Sequence, residues 1–443
     1  MGRRRNVLKG VSYGAVFLLL GLVTAFSFFI VMHDCINRHG VPTIEIRLKN
    51  TDLNEINEGG KEISYTDNEL IVKNGVEEKD FTSIEISGRG NMTWGFEKKP
   101  YQIKFYNKED LLGLGKMRKW NLLANYLDDS EVRTDLAFYI SEIIGMKYTM
   151  KGEFVSLKID DNDLGLYYIV TPPKINKQAV DLKEEGAILV EFDNAYCYEE
   201  EVFYVTKMKN CLVTKDVKND DSIKEVSRDF GEQFEIFERA VYAGDYKTIT
   251  SVIDVKSFAK YFLLNEFVAN PDEFFTSFYM YKDGEGDLIH AGPVWDFDGA
   301  FGNINWWGEE NEELYSPHKI MARREWVFSE DSGELGGTNA DDNLGFSKLI
   351  YYLIEIPEFQ ELVRKTYIEE LHGKDEGVIN YIKERVNYIR SYAIKDNGMW
   401  GKNDFDESVE YLTWWVEQRF KAFDELFDVS VVFPDYMYIS NEI

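Results

Sequence analysis

Two aspartates within residues 292–303 have the chemistry and the spacing of a metal site. Asp296 and Asp298 lie two positions apart, beside aromatic residues and between glycines. In an extended segment, side chains at this spacing project to the same face. Buried carboxylates are costly unless a cation compensates them, and carboxylate oxygens suit Mg²⁺ or Mn²⁺. The pattern favours a divalent-metal site, and its alternative is a surface turn with solvated acids.

Asp272 is the candidate for the group that orients or deprotonates an acceptor hydroxyl. It follows an Asn-Pro pair at the predicted end of a helix, where a chain reversal can direct a carboxylate into a cleft. Phosphoryl transfer needs such an acid, together with metal-binding carboxylates and a cation on the phosphates. The alternative is an ordinary acid in a helix-ending turn.

Lys104 is the candidate for the cation that contacts the phosphates of a nucleotide. It lies in an Ile-Lys-Phe strand, where we expect it to point away from its apolar neighbours and into a cleft. Lys98 and Lys99 are the alternatives, and an ordinary lysine on the face of a strand explains the same pattern.

The loop at residues 88–91 is the candidate for a cover over those phosphates. Its glycines would leave backbone N–H groups exposed to an anion. Arg89, Gly90 and Asn91 are therefore the residues that we expect to contact the nucleotide. Two glycines at this spacing are also typical of a simple turn, and Arg89 could equally form a structural ion pair.

The composition argues against one class of partner. The 443 residues include 50 Lys and Arg against 79 Asp and Glu, which gives a formal net charge of −29. A field of that sign repels a polyphosphate backbone, so we expect no nucleic-acid partner. A nucleotide is still compatible, because a few local cations and a divalent metal can hold it. With 44% hydrophobic residues, the chain is predicted to be globular and long enough for a two-lobed core.

The N-terminal segment has the pattern of a signal anchor. Residues 11–32 carry no charge and are long enough to cross a bilayer of about 30 Å as a helix. Basic residues within 1–10 predict a cytoplasmic tail and an extracytoplasmic main domain, joined by a linker over 33–42. The run is long for a cleaved signal peptide. We therefore expect a single-pass protein of the cell membrane that contacts the lipid bilayer through residues 11–32.

The three cysteines are too few and too badly spaced for a structural zinc site. Cys197 and Cys211 could close a small loop in an oxidising compartment. Two separate reduced thiols are an equally acceptable interpretation.

Two regions of different pattern must position the candidate residues. Alternating apolar residues predict an antiparallel sheet in the first half, with one helix over 131–144 and a hairpin within 154–170. A period of 3.6 predicts a mostly helical second half, in which a hairpin within 278–289 precedes the two aspartates. Acids clustered between a β-rich lobe and a helical lobe are expected of a phosphotransferase cleft.

Several separated blocks resemble the CotH family of spore coat protein H kinase-like proteins, in the order of that family. The blocks are residues 87–94 (SGRGNMTW), 98–105 (KKPYQIKF), 120–129 (WNLLANYLDD), 265–272 (NE and NPD), 277–282 (SFYMYK) and 294–298 (VWDFD). The resemblance extends over about residues 43–430. It implies an α+β, two-lobed, atypical protein-kinase-like fold with a β-rich N-lobe over about 43–175 and a helical C-lobe over about 176–430. A C-terminal tail follows at 431–443.

The same resemblance implies ATP and Mg²⁺ or Mn²⁺ as cofactors and phosphorylation of protein side chains. Asp272 and Lys104 would be catalytic, and Asp296 would take the metal-binding role of the kinase Asp-Phe-Gly segment, with Asp298 in place of its glycine. The chain departs from kinase patterns at Ser277, where kinases carry a metal-binding asparagine, and at Pro172-Pro173, which offers no N–H to an adenine.

These observations favour a membrane-anchored CotH-like kinase that transfers the γ-phosphate of ATP to Ser or Thr of a protein substrate on the cell or spore surface. The main alternative is a catalytically inactive kinase-like surface protein with a structural or binding role. A metal-dependent hydrolase is the third hypothesis.

Overall fold

A computed structural model describes residues 40–218, 223–272, 275–308, 316–320 and 348–429. The predicted basic tail, signal anchor and C-terminal tail, and most of the linker, lie outside these ranges. Within the described ranges, no helix is both long and apolar enough to cross a membrane. The predicted bilayer contact therefore stays a prediction.

A closed seven-stranded barrel forms the first part of the chain. The strands are β1 (Thr43–Arg47), β2 (Tyr65–Asn74), β3 (Glu77–Gly88), β4 (Tyr101–Asp110), β5 (Lys116–Leu123), β6 (Gly152–Ile159) and β7 (Asn162–Val170). Their order is β1-β2-β3-β4-β5-β7-β6, and β1 returns to pair with β6 in parallel. Every other pair is antiparallel. The predicted antiparallel sheet is thus present, but the β1–β6 pairing closes it into a barrel.

Two helices accompany the barrel, α1 (Leu53–Gly59) and α2 (Arg133–Ile144). The Asp52 side chain caps α1 by accepting a hydrogen bond from Glu55 N. Gly145 ends α2 in the left-handed conformation, at φ +76°, where glycine carries no steric penalty. The helix predicted over 131–144 and the hairpin β6–β7 are confirmed. Helix α2 buries most of its residues and places its first turn beside the open end of the barrel.

The second part combines a five-stranded antiparallel sheet with helices. The sheet contains β8 (Ile188–Phe192), β9 (Phe203–Val205), β10 (Cys211–Val217), β11 (Phe278–Lys282) and β12 (His290–Ala291), in the order β12-β11-β8-β10-β9. The predicted hairpin is present as β11–β12, with its second strand just beyond the predicted range. The expectation of a mostly helical second half missed β8, β9 and β10. In β8 every residue is buried, so the strand carries no alternating pattern that could have predicted it.

The α-helices of this part, among the residues that the structure describes, are α3 (Ile223–Tyr242), α4 (Tyr246–Val252), α5 (Val255–Val268), α6 (Ile304–Trp307), α7 (Leu349–Ile354), α8 (Pro357–Thr366), α9 (Asp375–Trp400) and α10 (Phe405–Phe427). Aspartate side chains cap α4, α5 and α10. The α+β composition, with a β-rich first region and a mostly helical C-terminal region, is confirmed. Helix α9 packs against β7 and α2 as well as against α10, so the C-terminal helices contact the barrel directly.

Candidate functional site

A cavity of about 410 Å³ opens between the end of the barrel and the five-stranded sheet. We call this cavity the cleft. Six of the seven site residues predicted from the sequence line it: Arg89, Gly90, Asn91, Asp272, Asp296 and Asp298. These residues come from three separated segments, so the fold brings together what the sequence only suggested.

Buried aromatic neighbours fix Asp296 and Asp298. Phe297 between them is fully buried, and the rings of Trp295 and Phe297 both pack against Phe138 of α2. The backbone of Asp296 has φ +67°, a conformation that is unfavourable for a non-glycine residue and is concentrated at functional sites. The Asp296 side chain is exposed, and it lines the cleft. A ligand in the cleft can therefore reach it.

The turn after α5 positions Asp272. Helix α5 ends at Ala269 in the left-handed conformation, and the Asn270 side-chain amide donates to Asn265 Oδ1 at 2.9 Å. Asn270 Oδ1 then accepts from the backbone N–H of Asp272 at 3.3 Å. This local network reverses the chain, as predicted from the Asn-Pro pair, and turns the Asp272 side chain into the cleft.

We call Asp272, Asp296 and Asp298 the cleft carboxylates. Burial raises the pKa of Asp272 well above its ordinary value, and repulsion from Asp296 and Asp298 adds to it. Burial and then the charge of Asp296 raise the pKa of Asp298 to about 7. Three neighbouring carboxylates in a sheltered cleft resist ionising together, and a cation bound among them would remove that penalty.

Arg89 is the cationic neighbour that most opposes this repulsion at Asp296. Burial raises the pKa of Asp296, and the Arg89 guanidinium and the hydroxyl of Ser277, which donates to Asp296 Oδ2 at 3.1 Å, both lower it. Arg89 also lies over the Trp295 ring, 5.8 Å from its centroid. It follows Gly88 at the end of β3 and enters the loop that was predicted to cover phosphates.

The structure gives a physical reason for Gly90 in that loop. Gly90 has φ +81°, and a Cβ atom there would stand 2.1 Å from the Thr93 hydroxyl. The side chain of Asn91 accepts a hydrogen bond from Lys61. A residue outside the loop therefore holds Asn91 in its place beside the cleft.

Lys104 does not lie in the cleft, which corrects its predicted role. The β3–β4 register pairs Lys104 with Glu85, and the Lys104 ammonium donates to the Glu85 carboxylate at 2.7 Å on the outer face of the barrel. Lys104 does point away from its apolar neighbours, as expected. Those neighbours fill the barrel interior, so the opposite direction is the barrel surface and not the cleft.

Lys98, the first alternative, lines the cleft instead. Its side chain is fully buried, and its ammonium donates to the Leu166 carbonyl at 2.6 Å and to Asp396 Oδ2 at 2.8 Å. Lys402 of the loop after α9 contacts Glu131 and lies 3.8 Å from Asp396. We call Lys98, Glu131, Asp396 and Lys402 the buried charge cluster.

The match to a family model decides the family. The model described as CotH kinase protein matches residues 86–423 of this chain, which include every cleft-lining residue and the whole buried charge cluster. The chain belongs to the CotH family. A curated relative, the inner spore coat protein H of Bacillus subtilis (strain 168), is 25% identical over 268 residues. That alignment covers 60% of this chain and 70% of the relative.

The CotH cleft has a second charged group that the sequence analysis missed. Glu191 of β8 and Lys215 of β10 both line the cleft, and their charged groups are 3.1 Å apart. Lys215 also contacts Glu200 at 2.6 Å. Burial raises the pKa of Glu191 to about 7 although Lys215 lowers it. A glutamate within an otherwise apolar Ile-Leu-Val-Glu-Phe run was the available signal.

The structure also shows how the two candidate cysteines are paired and what Asn303 contacts. Cys197 and Cys211 form a disulfide, which selects one of the two interpretations left open. The side-chain amide of Asn303 donates to the carbonyls of Leu127 and Asp298. Asn303 therefore supports the loop of the aspartates from behind.

The cleft carboxylates fit a divalent metal as a partial ligand set. Among the described residues, no group of three or more His, Cys, Asp or Glu side chains converges closely enough to hold a metal without other ligands. Mg²⁺ commonly takes one or two protein carboxylates and completes its shell with water and substrate phosphates. Asp296 and Asp298 match that requirement, and their raised pKa values show that a cation would stabilise their ionised forms.

Proposed function

We propose that this CotH-family chain is an atypical protein kinase that transfers the γ-phosphate of ATP to Ser or Thr of a protein on the cell or spore surface. One observation carries the proposal: carboxylates from two separate segments share a single cleft with Arg89 and with Lys98, whose side chain is buried. This is the set of groups that phosphoryl transfer requires. The position of the cleft, between a β-barrel and a second region of sheet and helices, supports a kinase-like arrangement.

Each group would have a defined task. Asp296 and Asp298 would hold Mg²⁺ or Mn²⁺, which when bound neutralises phosphate charge. Arg89 and Lys98 would bind phosphate oxygens, and the loop of Gly90 and Asn91 would cover them. The acceptor oxygen would form a bond to the γ-phosphorus as the bond to the β,γ-bridging oxygen breaks, and Asp272 would take the hydroxyl proton.

The charge state of Asp272 fits this order of events. Burial raises the pKa of Asp272 most, and without a metal Asp296 and Asp298 raise it further, which favours the protonated form that cannot accept a proton. Neutralising those two charges would lower the pKa of Asp272 again. Filling the metal site would thus make Asp272 a better proton acceptor.

The location of the protein and its substrate complete the proposal. The named relative is an inner spore coat protein, which supports a surface or coat substrate for this chain. The predicted signal anchor at residues 11–32 would attach the protein to the cell membrane with the CotH domain outside. The alternative, an inactive surface protein with a binding role, would use the same cleft without transferring phosphate.

A phosphoryl-transfer assay tests the proposal. The full-length protein is incubated with γ-labelled ATP and Mn²⁺, and label on the protein itself or on a spore-coat extract is measured. We expect transfer by the wild type and its loss in Asp272→Asn, which still binds ATP. Nucleotide binding without transfer by the wild type would contradict the kinase proposal and favour the binding role.

A further inference from the structure

Tyr279 is a buried residue of the cleft whose hydroxyl has no partner in the described part of the chain. It lies in β11, only 6% of its surface is exposed, and the residue lines the cleft. Buried tyrosine hydroxyls usually have a hydrogen-bond partner. The hydroxyl of Tyr279 makes no hydrogen bond to any described residue, and it is not one of the fully enclosed atoms that lack a partner. It is therefore open to the cleft, where a ligand can be its partner.

The five-stranded sheet fixes the position of Tyr279. Strand β11 has a partner on each side, β8 and β12, and Tyr279 is paired with Glu191 of β8. The Tyr279 carbonyl accepts a hydrogen bond from the backbone N–H of Gly292 at 2.8 Å. Residues paired across two strands place their side chains on the same face of a sheet, and Glu191 lines the cleft as well. The hydroxyl is thus carried by a rigid ring on a strand that is held from both sides.

The hydroxyl of Tyr279 lies near the groups that we assign to the metal and to the phosphates. Two positions before it, the Ser277 hydroxyl donates to Asp296 Oδ2 at 3.1 Å, which joins the start of β11 to the metal-binding segment. Burial lowers the pKa of Arg89, and the two neighbours that oppose this shift most are Asp296 and then Tyr279. Groups influence each other in this way only when they are close together. A ligand that contacts Arg89 and a metal on Asp296 is therefore close to the Tyr279 hydroxyl.

The hydroxyl keeps its proton and can donate it to an anion. Burial raises the pKa of Tyr279 well above its ordinary value, and the carboxylates of Glu191 and Asp296 raise it further, although Arg89 lowers it. Hydrogen bonds to ionised oxygens are roughly twice as strong as those between neutral groups. A phosphate oxygen next to Arg89 is therefore a suitable acceptor for this hydroxyl.

We propose that the Tyr279 hydroxyl donates a hydrogen bond to a phosphate oxygen of the bound nucleotide, beside the contacts made by Arg89 and by the metal. This inference rests on the proposed function. It adds a binding group from the five-stranded sheet to those from the barrel loop and from the aspartate segment. The nucleotide phosphates would then be held from both sides of the cleft.

Calorimetric titration of ATP with Mn²⁺ into the full-length wild type and into Tyr279→Phe tests the inference. The substitution removes one oxygen atom and keeps the ring in the wall of the cleft. We expect the affinity for ATP to fall about tenfold, as for the loss of a hydrogen bond to a charged group. Adenosine, which has no phosphate, should bind equally well to both proteins. Equal affinity of the two proteins for ATP would overturn the inference, and so would an equal loss of affinity for adenosine.

Thermal unfolding without ATP distinguishes a ligand contact from a structural one. Tyr279→Phe removes a hydroxyl that no described residue binds, so its melting temperature should equal or exceed that of the wild type. Tyr168→Phe is the matched control, because the Tyr168 hydroxyl is buried away from the cleft and donates to Asp135 at 2.9 Å. We expect this control to melt at a lower temperature and to bind ATP within about twofold of the wild type. A fall in melting temperature as large in Tyr279→Phe as in Tyr168→Phe would show that the Tyr279 hydroxyl is structural, against the inference.

Two further outcomes separate this inference from the proposed function. Absence of ATP binding by the wild type would end both of them. Slower label transfer by Tyr279→Phe with unchanged affinity for ATP would overturn the phosphate contact alone. The proposed function would then stand, and the acceptor hydroxyl of the substrate would be the partner of Tyr279.

Discussion

The cleft carboxylates and the buried charge cluster show two opposite ways of placing charge in a protein interior. In the cluster, each lysine contacts a carboxylate, and Lys402 also donates to the carbonyls of Asn125 and Asp128. In the cleft, Asp272, Asp296 and Asp298 repel one another, with Arg89 opposing the repulsion at Asp296. The protein itself compensates the charges of the cluster, whereas the cleft carboxylates are only partly compensated, and we propose that a bound cation compensates them.

Asp296→Ala should show the difference between the cleft carboxylates and the buried charge cluster most clearly, because we expect it to change activity and not stability. We expect phosphoryl transfer to fall on the order of 10²- to 10³-fold, because a group that stabilises transferred charge is lost. The melting temperature without metal should not fall, since the substitution removes a repelling charge. Label transfer and thermal unfolding in the presence of a chelator measure the two effects.

Asp161→Ala is the control for Asp296→Ala, because Asp161 is an exposed aspartate in the β6–β7 hairpin. It should leave both activity and melting temperature unchanged. A large loss of stability in Asp296→Ala would show that Asp296 is structural, and the contrast between the two regions would fail.

Lys402→Met should lower the stability of the protein, unlike Asp296→Ala. It removes one partner from the buried charge cluster and leaves Glu131 and Asp396 with less compensation, so we expect a loss of about 3–5 kcal/mol in the free energy of unfolding. Chemical denaturation measures it. Lys395→Met, which removes an exposed ion pair with Asp163, should cost less than about 1 kcal/mol. Similar losses in both variants would contradict the assignment of the cluster.

The pH dependence of stability gives a smaller but more specific test. Burial and Asp296 raise the pKa of Asp298 from 3.8 to about 7 in the folded protein. The folded state therefore binds more protons than the unfolded state in this range, and stability falls as the pH rises from about 4 to about 7. Asp298→Asn should remove this loss, so without metal it should be more stable than the wild type above pH 7 and similar to it near pH 4. A stability difference independent of pH would contradict the mechanism.

Lys104→Met should have the smallest effect. Lys104 forms a partly exposed pair with Glu85 on the barrel surface, so we expect ATP affinity within about twofold of the wild type and a stability loss below about 1 kcal/mol. Lys98→Met is its counterpart inside the cleft. A tenfold loss of ATP affinity in Lys104→Met would reverse our correction.

The cleft carboxylates could be predicted from the sequence because each of them lies in a recognisable pattern of neighbouring residues. Asp296 and Asp298 follow from a two-residue spacing, and Asp272 follows from the Asn-Pro pair that ends a helix. Each depends on fewer than ten neighbouring residues. The hairpins and α2 were predictable for the same reason.

The prediction for Lys104 shows what a local sequence pattern cannot determine. An alternating pattern tells which residues of β4 share a face, but only the closure of the barrel through β1 and β6 decides which face is interior. The partnership of Lys98 with Asp396 joins positions 298 residues apart. No spacing rule connects them, so the sequence alone could not show that Lys98 and Asp396 are partners.

The binding of Mn²⁺ together with ATP tests most directly whether the cleft carboxylates await a cation. Mn²⁺ can be counted by electron paramagnetic resonance as ATP is titrated into the wild type and into Asp296→Asn. We predict ATP-dependent Mn²⁺ binding by the wild type and its loss in the variant. Equal Mn²⁺ binding by both proteins, or none by either at millimolar ATP, would contradict the account.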